Sequence, residues 1–140
     1  MKPFDKLRAR YEILEHRADL KIRAFGKNKK ELFLNALLGM NAGLEPEKDK
    51  KQNVKRRISI KSLDLSALLV DFLNEALYLI QVHKEIYNKI KFIKFSDNEL
   101  KGELIGQKVE RFGKDIKAVT YHDLDIHHNE NWEGTVLFDI

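Results

Sequence analysis

The chain contains no cysteine among its 140 residues. Disulfide bonds, thiolate metal sites and catalysis by a cysteine nucleophile are therefore excluded, and the absence suits a reducing compartment. Apolar residues never accumulate to the run of about 20 that spans a bilayer. The first ten residues, MKPFDKLRAR, lack the apolar stretch of a signal peptide. We therefore expect a cytoplasmic protein that has no membrane partner.

Motifs for phosphate binding and for nucleophilic hydrolysis are also missing. Neither GxxxxGK[ST], GxGxxG nor GxSxG occurs anywhere in the chain. Charge of one sign is only slightly in excess, with 26 Lys and Arg against 22 Asp and Glu, a formal net charge of +4. Dedicated nucleic-acid binders have a more concentrated basic footprint. The composition therefore favours a lysine-rich solvated surface and leaves open a weak attraction to RNA.

Hydrophobic residues make up 43% of the chain, enough for one core in a chain of this length. Residues 11–15 and 18–25 read as strands, the second with the alternation of a half-buried strand. A helix is predicted to begin after Asn28, because this residue is a good N-cap and Glu31 follows three positions later. It is predicted to end before Pro46.

A second and more apolar helix is predicted to begin at Asp64 or Ser66 and to extend to about Ile86. Its apolar stripe indicates packing across a sheet, and comprises Leu65, Leu68, Leu69, Phe72, Leu73, Ala76, Leu77 and Ile80. Between the two helices, the charged segment 45–53 is interpreted as a surface loop, and residues 54–60 as a third strand.

The remainder of the chain has the pattern of β-structure. Strands are predicted at residues 90–95, 100–106, 118–128 and 132–140, with turns at 97–98 and 129–131. Gly102 and Gly106 are predicted to occupy bulges or turns. The order ββαβαββββ indicates an α+β fold in a single domain, residues 1–140. We expect a two-layer sandwich with two main helices on one face of a mixed β-sheet.

Three segments resemble the archease family. They are YEILEHRADLKIRAFGK at 11–27, LSALLVDFLNEALYLI at 65–80, and IKAVTYHDLDI at 116–126 followed by VLFDI at 136–140. Any one of them alone is weak, but the combination is specific and covers most of the chain. One departure is Arg17, where family members often have a small hydroxyl residue. The resemblance implies a chaperone-like accessory factor for the tRNA-splicing RNA ligase RtcB, one that promotes guanylylation of the ligase by GTP and its repeated turnover.

The resemblance also implies a metal site. The family's metal-binding positions correspond to Asp19, Asp139 and the terminal carboxylate of Ile140, and its activating basic residue corresponds to Lys117. His16 is a candidate hydrogen-bonding neighbour of Asp19. Carboxylates are hard oxygen donors that suit Ca²⁺, with Mg²⁺ or Mn²⁺ as alternatives, better than zinc. Three negative groups brought together would repel one another without a cation.

The leading hypothesis is a protein that activates a ligase without being an enzyme, with indirect contact to the tRNA substrate left open. The alternative is a stand-alone RNA-binding module or a small metal-dependent phosphoesterase. His122 and His128 do not favour a metal enzyme, because six residues of extended strand separate them by roughly 20 Å. Aromatic residues that could stack RNA bases are interpreted as core or cross-strand residues. These are Tyr121, Phe92, Phe95 and Trp132.

Overall fold

The structure, a computed structural model, describes residues 9–15 and 19–140. Within this part of the chain the elements follow the predicted order ββαβαββββ. They are β1 (Tyr11–Glu15), β2 (Asp19–Gly26), α1 (Lys29–Leu44), β3 (Pro46–Lys61), α2 (Leu65–His83), β4 (Glu85–Phe95), β5 (Glu99–Phe112), β6 (Ala118–His128) and β7 (Trp132–Asp139). The α+β class with two main helices is therefore confirmed.

Local capping chemistry determines where both helices begin and end. The side chain of Asn28 accepts a hydrogen bond of 2.8 Å from the backbone N–H three residues later, as predicted for α1. Asp64, and not Ser66, makes the equivalent bond of 2.8 Å at α2. The predicted end of α2 near Ile86 is wrong. Lys84 adopts a left-handed conformation, with φ of 54°, and terminates the helix, so Ile86 lies in β4.

The strands form two separate antiparallel sheets, ordered β1-β2-β7-β6 and β3-β5-β4. Helix α1 contacts β1, β2 and β7 of the first sheet and β4 of the second, while α2 contacts β6 and all three strands of the second. The expected single mixed sheet with both helices on one face is therefore wrong. A helix that is buried on most of its sides can pack against two sheets, and ten of the 16 residues of α1 are buried.

The interpretation of residues 45–53 as a loop is also wrong, because β3 begins at Pro46. This first half of β3 pairs with the end of β5, where Pro46 lies opposite Phe112. A register shift between Asp49 and Asn53 interrupts the pairing, and Gln107 of β5 donates a 2.8 Å hydrogen bond to the Asp49 carboxylate. Residues 47–53 are all exposed, so their polar composition concealed a strand that extends beyond the core.

Gly102 and Gly106 lie within β5, where the backbone of β4 approaches closely. A Cβ atom at Gly106 would lie 1.7 Å from the carbonyl oxygen of Ile86, which no side chain tolerates. The register shifts occur in β4 itself, after Tyr87 and Phe92, the residues paired with Gly106 and Gly102. The prediction of bulges or turns at Gly102 and Gly106 is therefore wrong: both are paired residues of β5, and the irregularities lie in the facing strand β4.

A buried ion pair joins β3 to β4. Arg56 donates two hydrogen bonds to the carboxylate of Glu85, from Nε at 2.9 Å and from Nη2 at 2.8 Å. The hydroxyl of Tyr87 donates a third, at 2.8 Å. Burial by itself raises the pKa of Glu85, but the bonds from Arg56 and Tyr87 outweigh it and hold the pKa below its ordinary value. Glu85 is therefore a buried carboxylate stabilised by its partners.

Helix α2 supplies a large part of the core. An 18-residue stretch of this 19-residue helix has a mean hydropathy of 1.4, so length and composition alone would allow it to cross a membrane, contrary to the expectation from the sequence. Eight of its side chains are buried, including Phe72 and Leu73, and they belong to a core cluster shared with both sheets. Packing inside the protein accounts for these apolar residues.

Replacing Leu73 with alanine should lower the free energy of unfolding by about 2–5 kcal/mol, because the side chain has no exposed surface and its loss leaves a cavity. Urea denaturation measures the change. Glu75→Ala, at an exposed position of the same helix, is the control and should change the free energy by less than about 0.5 kcal/mol. A loss below about 1 kcal/mol for Leu73→Ala would show that this position is not core.

Candidate functional site

Strands β2 and β7 bring together two aspartates from opposite ends of the chain. In the antiparallel register, Asp19 is the direct partner of Asp139. Directly opposed residues of such a pair have Cβ atoms about 4.5–5.5 Å apart and project from the same face of the sheet. The expectation that Asp19 and Asp139 lie close together is confirmed.

The electrostatic environment of this pair favours a cation. Like charges placed directly opposite each other destabilise an antiparallel pair. The Oδ1 atom of Asp19 is buried and has no hydrogen-bond partner in the described part of the chain. A buried carboxylate oxygen without a donor costs free energy, and a metal ion would supply the missing contact. The residues present therefore fit a divalent cation with oxygen ligands.

Lys117 and Ile140 lie beside the two aspartates. The backbone N–H of Lys117 donates a 2.7 Å hydrogen bond to the carbonyl oxygen of Asp139, and the next residue, Ala118, pairs with Asp139 in the sheet. The side chain of Lys117 is exposed. Ile140 follows Asp139 directly and lines the same cavity as Asp19. The structure thus gathers four of the five predicted site residues at one end of the sheet, while His16 lies outside the described residues, as does Arg17.

The cavity beside Asp19 has a volume of about 290 Å³. Its polar lining includes Glu45, Lys114 and Asp115. The turn that carries Lys114 is attached to the C-terminal end of α1, because its backbone N–H donates to the carbonyl oxygen of Leu44 at 3.1 Å. The Lys114 ammonium lies 3.7 Å from the Glu45 carboxylate. Two further carboxylates therefore border the cavity next to Asp19.

Glu45 and Asp115 were not among the site residues predicted from the sequence. Glu45 was assigned to a polar loop, yet it is the left-handed residue that ends α1, with φ of 49°. Asp115 stands two positions before Lys117, and this short distance in sequence was the one indication that it lies near the site. Across residues 9–15 and 19–140, no three Asp, Glu or His side chains are grouped so as to hold a metal ion by themselves. In this part of the chain, side chains alone therefore do not form a complete metal site.

The histidines of β6 make hydrogen bonds and ring contacts. His127 lies 2.8 Å from the Asp125 carboxylate through Nδ1 and 3.0 Å from the Glu133 carboxylate through Nε2. A register shift between residues 120 and 125 interrupts the strand. His128 stacks on Trp132, with ring centroids 4.8 Å apart. His127 therefore has a hydrogen-bonded role between two carboxylates.

Two of the aromatic residues considered for base stacking are partly buried and pack against the core. Phe95 packs edge-on against Phe33 of α1, with ring centroids 5.1 Å apart, and against Phe92 at 5.5 Å. Tyr121 is exposed and its hydroxyl bonds to the carboxylate of Asp71, which together with burial raises the pKa of Tyr121. The interpretation as core or cross-strand residues is confirmed for Phe92 and Phe95, which pack against the core, and for Trp132, the cross-strand partner of His128. It is wrong for Tyr121, which is exposed.

Comparison with known proteins gives a consistent result. The model of the Archease protein family (MTH1598/TM1083) matches residues 11–140. The archease of Methanosarcina barkeri is 36% identical over 139 residues, which cover 93% of this chain and 95% of that protein. The archease of Methanosarcina mazei is 36% identical over 141 residues, with 94% and 96% covered.

Two solved structures share the fold. The solution structure of Methanobacterium thermoautotrophicum protein 1598 has a TM-score of 0.71 and 24% identity, covering 94% of this chain and 99% of its own. The crystal structure of a Thermotoga maritima archease, described as a possible chaperone, has a TM-score of 0.64 and 22% identity, covering 91% and 94%. At these identities the likeness shows the fold alone. Because the family model extends over nearly the whole sequence and relatives above 30% identity do the same, the chain belongs to the archease family.

Proposed function

We propose that this protein activates an RtcB-type RNA ligase in the cytoplasm and has no catalytic reaction of its own. It would promote transfer of GMP from GTP to the ligase and support repeated turnover in tRNA splicing, as the family resemblance implies. The observation that carries the proposal is the cross-strand pairing of Asp19 with Asp139, beside a backbone hydrogen bond that fixes Lys117 to the same strand.

The proposal includes a divalent cation held by Asp19, Asp139 and the carboxylate of Ile140. These groups offer oxygen atoms only, which suits Ca²⁺, with Mg²⁺ or Mn²⁺ as alternatives. The buried Oδ1 of Asp19, which has no hydrogen-bond partner among the described residues, supports a ligand at this position. When bound, such an ion would supply positive charge that neutralises phosphate oxygens.

The residues of the chain itself would act by position and charge. Asp139 and Lys117 are both exposed, so a partner protein can reach them. Phosphoryl-type transfer depends mainly on positioning and on electrostatic stabilisation of developing charge. In the complex, Lys117 would hold phosphate charge or pair with an acidic residue of the ligase, while the aspartates would present the ion.

A guanylylation assay tests this proposal. Ligase from the same organism is incubated with radiolabelled GTP, without RNA, and the covalent ligase–GMP product is followed in time. The wild-type chain should accelerate its formation. Lys117→Ala should lower the stimulated rate by about tenfold or more. Lys27→Ala, an exposed lysine at the other end of β2, should retain full stimulation. Equal stimulation by Lys117→Ala and wild type would contradict the role of Lys117.

Extending the chain by two residues beyond Ile140 should weaken Ca²⁺ binding by about tenfold or more, because the carboxylate becomes an amide and the site loses one negative charge. Isothermal titration with Ca²⁺ measures the affinity. An extension of the same length at the N-terminus is the matched control and should leave the affinity unchanged. Equal affinities for the two extended proteins would remove the Ile140 carboxylate from the ligand set.

A further inference from the structure

The outer surface of the three-stranded sheet carries a concentration of positive charge. Along these strands, residues such as Ile58, Leu100 and Leu104 face the core and are buried. The alternate positions point away from the helices. Seven of these outward side chains are exposed and basic: Lys55, Arg57 and Lys61 of β3, Lys89, Lys91 and Lys94 of β4, and Lys101 of β5. We refer to these seven residues as the basic face.

The strand register places these charges next to one another. Lys55 and Lys89 are the partners of Ile105 on its two sides. Lys94 lies directly opposite Lys101. Neighbouring strands are about 4.8 Å apart, and like charges in opposed positions destabilise a sheet. An anionic partner that neutralises several of these positions at once would therefore stabilise the sheet as it binds.

Three acidic side chains lie on or beside this surface: Glu99, Glu103 and Asp49, whose carboxylate accepts the hydrogen bond from Gln107. Glu99 pairs with Lys94 at 2.5 Å and with Lys61 at 3.6 Å, and Glu103 is the cross-strand partner of Arg57 and Lys91. With seven basic and three acidic groups, the surface has a positive excess of four, equal to the net charge of +4 of the whole chain. The remaining 19 basic and 19 acidic residues of the chain balance one another.

Five members of the basic face form no close ion pair or side-chain hydrogen bond within the described part of the chain, although Glu103 lies opposite Arg57 and Lys91. No ion pair within 4.0 Å and no side-chain hydrogen bond engages them there: Lys55, Arg57, Lys89, Lys91 and Lys101. Their charges are held on a rigid sheet and are available to a ligand. A ligand of matching chemistry must carry regularly repeated negative charge.

The remaining groups on this surface indicate how such a ligand would be recognised. A shallow depression of about 500 Å³ is lined by Lys55 and Lys89 together with the amides of Asn53, Asn88 and Gln107. Ammonium and amide groups are common donors to phosphate and sugar oxygens. The aromatic residues of β4, Tyr87, Phe92 and Phe95, lie in or pack against the core, so this strand offers the surface no ring for base stacking. Backbone contacts without base contacts give binding that does not depend on sequence.

We propose that the basic face binds the phosphodiester backbone of RNA independently of its sequence. The helices separate this sheet from the sheet that carries Asp19 and Asp139. One molecule could therefore hold RNA on one side and present its acidic pair to a protein on the other. RNA binding by the isolated chain does not require the proposed action on a ligase.

Fluorescence anisotropy with a labelled single-stranded RNA of about 16 nucleotides tests the proposal. The chain alone should bind with a dissociation constant in the range of about 10⁻⁶ to 10⁻⁴ M, and binding should weaken steeply as salt rises from about 50 to 200 mM. The double variant Lys55→Glu/Lys89→Glu should bind about tenfold or more weakly and show a shallower salt dependence. Arg10→Glu/Lys27→Glu changes the net charge equally at exposed positions of the other sheet region and should stay within about twofold of wild type.

Three outcomes would overturn the proposal. One is an equal loss of affinity in both double variants, because net charge alone would then explain binding. Another is no binding by wild type at about 50 mM salt and millimolar protein. The third is unchanged RNA binding by Lys55→Glu/Lys89→Glu together with lost guanylylation of the ligase, which would assign the surface to a protein partner. Circular dichroism checks the fold, and Lys55→Gln/Lys89→Gln, expected to lose about threefold, replaces the charge reversal if that variant unfolds.

Discussion

Replacing Arg56 with methionine is expected to lower the free energy of unfolding by about 3 kcal/mol, as measured by urea denaturation at neutral pH. The Glu85 carboxylate has no exposed side-chain surface and would retain only the hydroxyl of Tyr87 as a donor. Removing one partner of a buried ion pair leaves an uncompensated buried charge, which costs about 3–5 kcal/mol. The lower end of that range applies because the Arg56 side chain is 33% exposed.

The pH dependence of this loss follows from the pKa of Glu85. In the wild type, the partners hold that pKa below its ordinary value against the effect of burial, so the stabilisation is present above the unfolded pKa and is lost as pH falls through the folded pKa. In Arg56→Met, burial is less opposed and the pKa of Glu85 rises. The difference in stability between the two proteins should therefore shrink as pH falls through the raised pKa of Glu85 in the variant and on to the lowered pKa in the wild type.

The double variant Arg56→Met/Glu85→Leu is the control for the ion pair. It leaves no buried charge and should recover most of the lost stability, since well-packed apolar residues often replace a buried pair without cost. If Arg56→Met costs less than about 1 kcal/mol, or if its loss of stability is the same at all pH values, the pair does not have the role assigned to it.

The second large effect is expected at Asp19 and Asp139. Replacing either with asparagine should lower the rate at which the chain stimulates ligase guanylylation by about 10²-fold, the size of effect seen when a preorganised electrostatic group is lost. In the absence of divalent ions, the same variants should be as stable as wild type or up to about 1 kcal/mol more stable, because a like-charged cross-strand pair has been relieved.

Opposite effects on stability and activity would separate a functional pair from a structural one. Both quantities are measured on the same preparations, with unfolding followed in the presence of a chelator. Asp97→Asn is the control, because Asp97 is an exposed aspartate paired with Lys29, away from the pair, and should retain full stimulation. Destabilisation by more than about 1 kcal/mol in Asp139→Asn would instead assign this carboxylate to the fold.

The sequence predicted those features of the fold that local chemistry decides. The N-caps at Asn28 and Asp64 depend only on residues within one helical turn. Each side chain accepts a hydrogen bond from the backbone N–H three residues later, as expected for an N-cap. The alternation of apolar and polar residues in β2 is equally local, because every second side chain points to the buried face of the strand. Strand β6, from Ala118 to His128, has the predicted bounds.

The arrangement of two sheets around the helices could not be read in the same way. Polar residues of α1 that suggest a solvent-facing side are buried and bond to strands of both sheets. The amide of Asn35 donates to the carbonyl of Phe25 in β2 at 2.6 Å, and that of Asn41 donates to Tyr87 in β4 at 2.7 Å. Since a buried polar group is tolerated when it is hydrogen-bonded, composition alone did not reveal that the helix is covered on both sides.

The candidate site and the basic face also depend on strand pairing, which the sequence pattern does not indicate. The proximity of Asp19 and Asp139 was expected from the family resemblance, and no periodicity in the chain indicates it, because it depends on the pairing of β2 with β7. The basic residues are distributed over three strands and alternate with apolar residues. The net charge of the whole chain is only +4, so the sequence does not indicate these residues as a group; they become a concentrated surface once β3, β5 and β4 align.

The most direct measurement is multiple-turnover RNA ligation by the RtcB ligase of the same organism, with GTP and substoichiometric ligase, in the presence and absence of this chain. Wild-type protein should increase the number of turnovers per ligase, and folded Asp19→Asn and Asp139→Asn proteins should not. If ligation proceeds to the same extent without the chain, or if both variants stimulate as well as wild type, activation through the paired aspartates is contradicted.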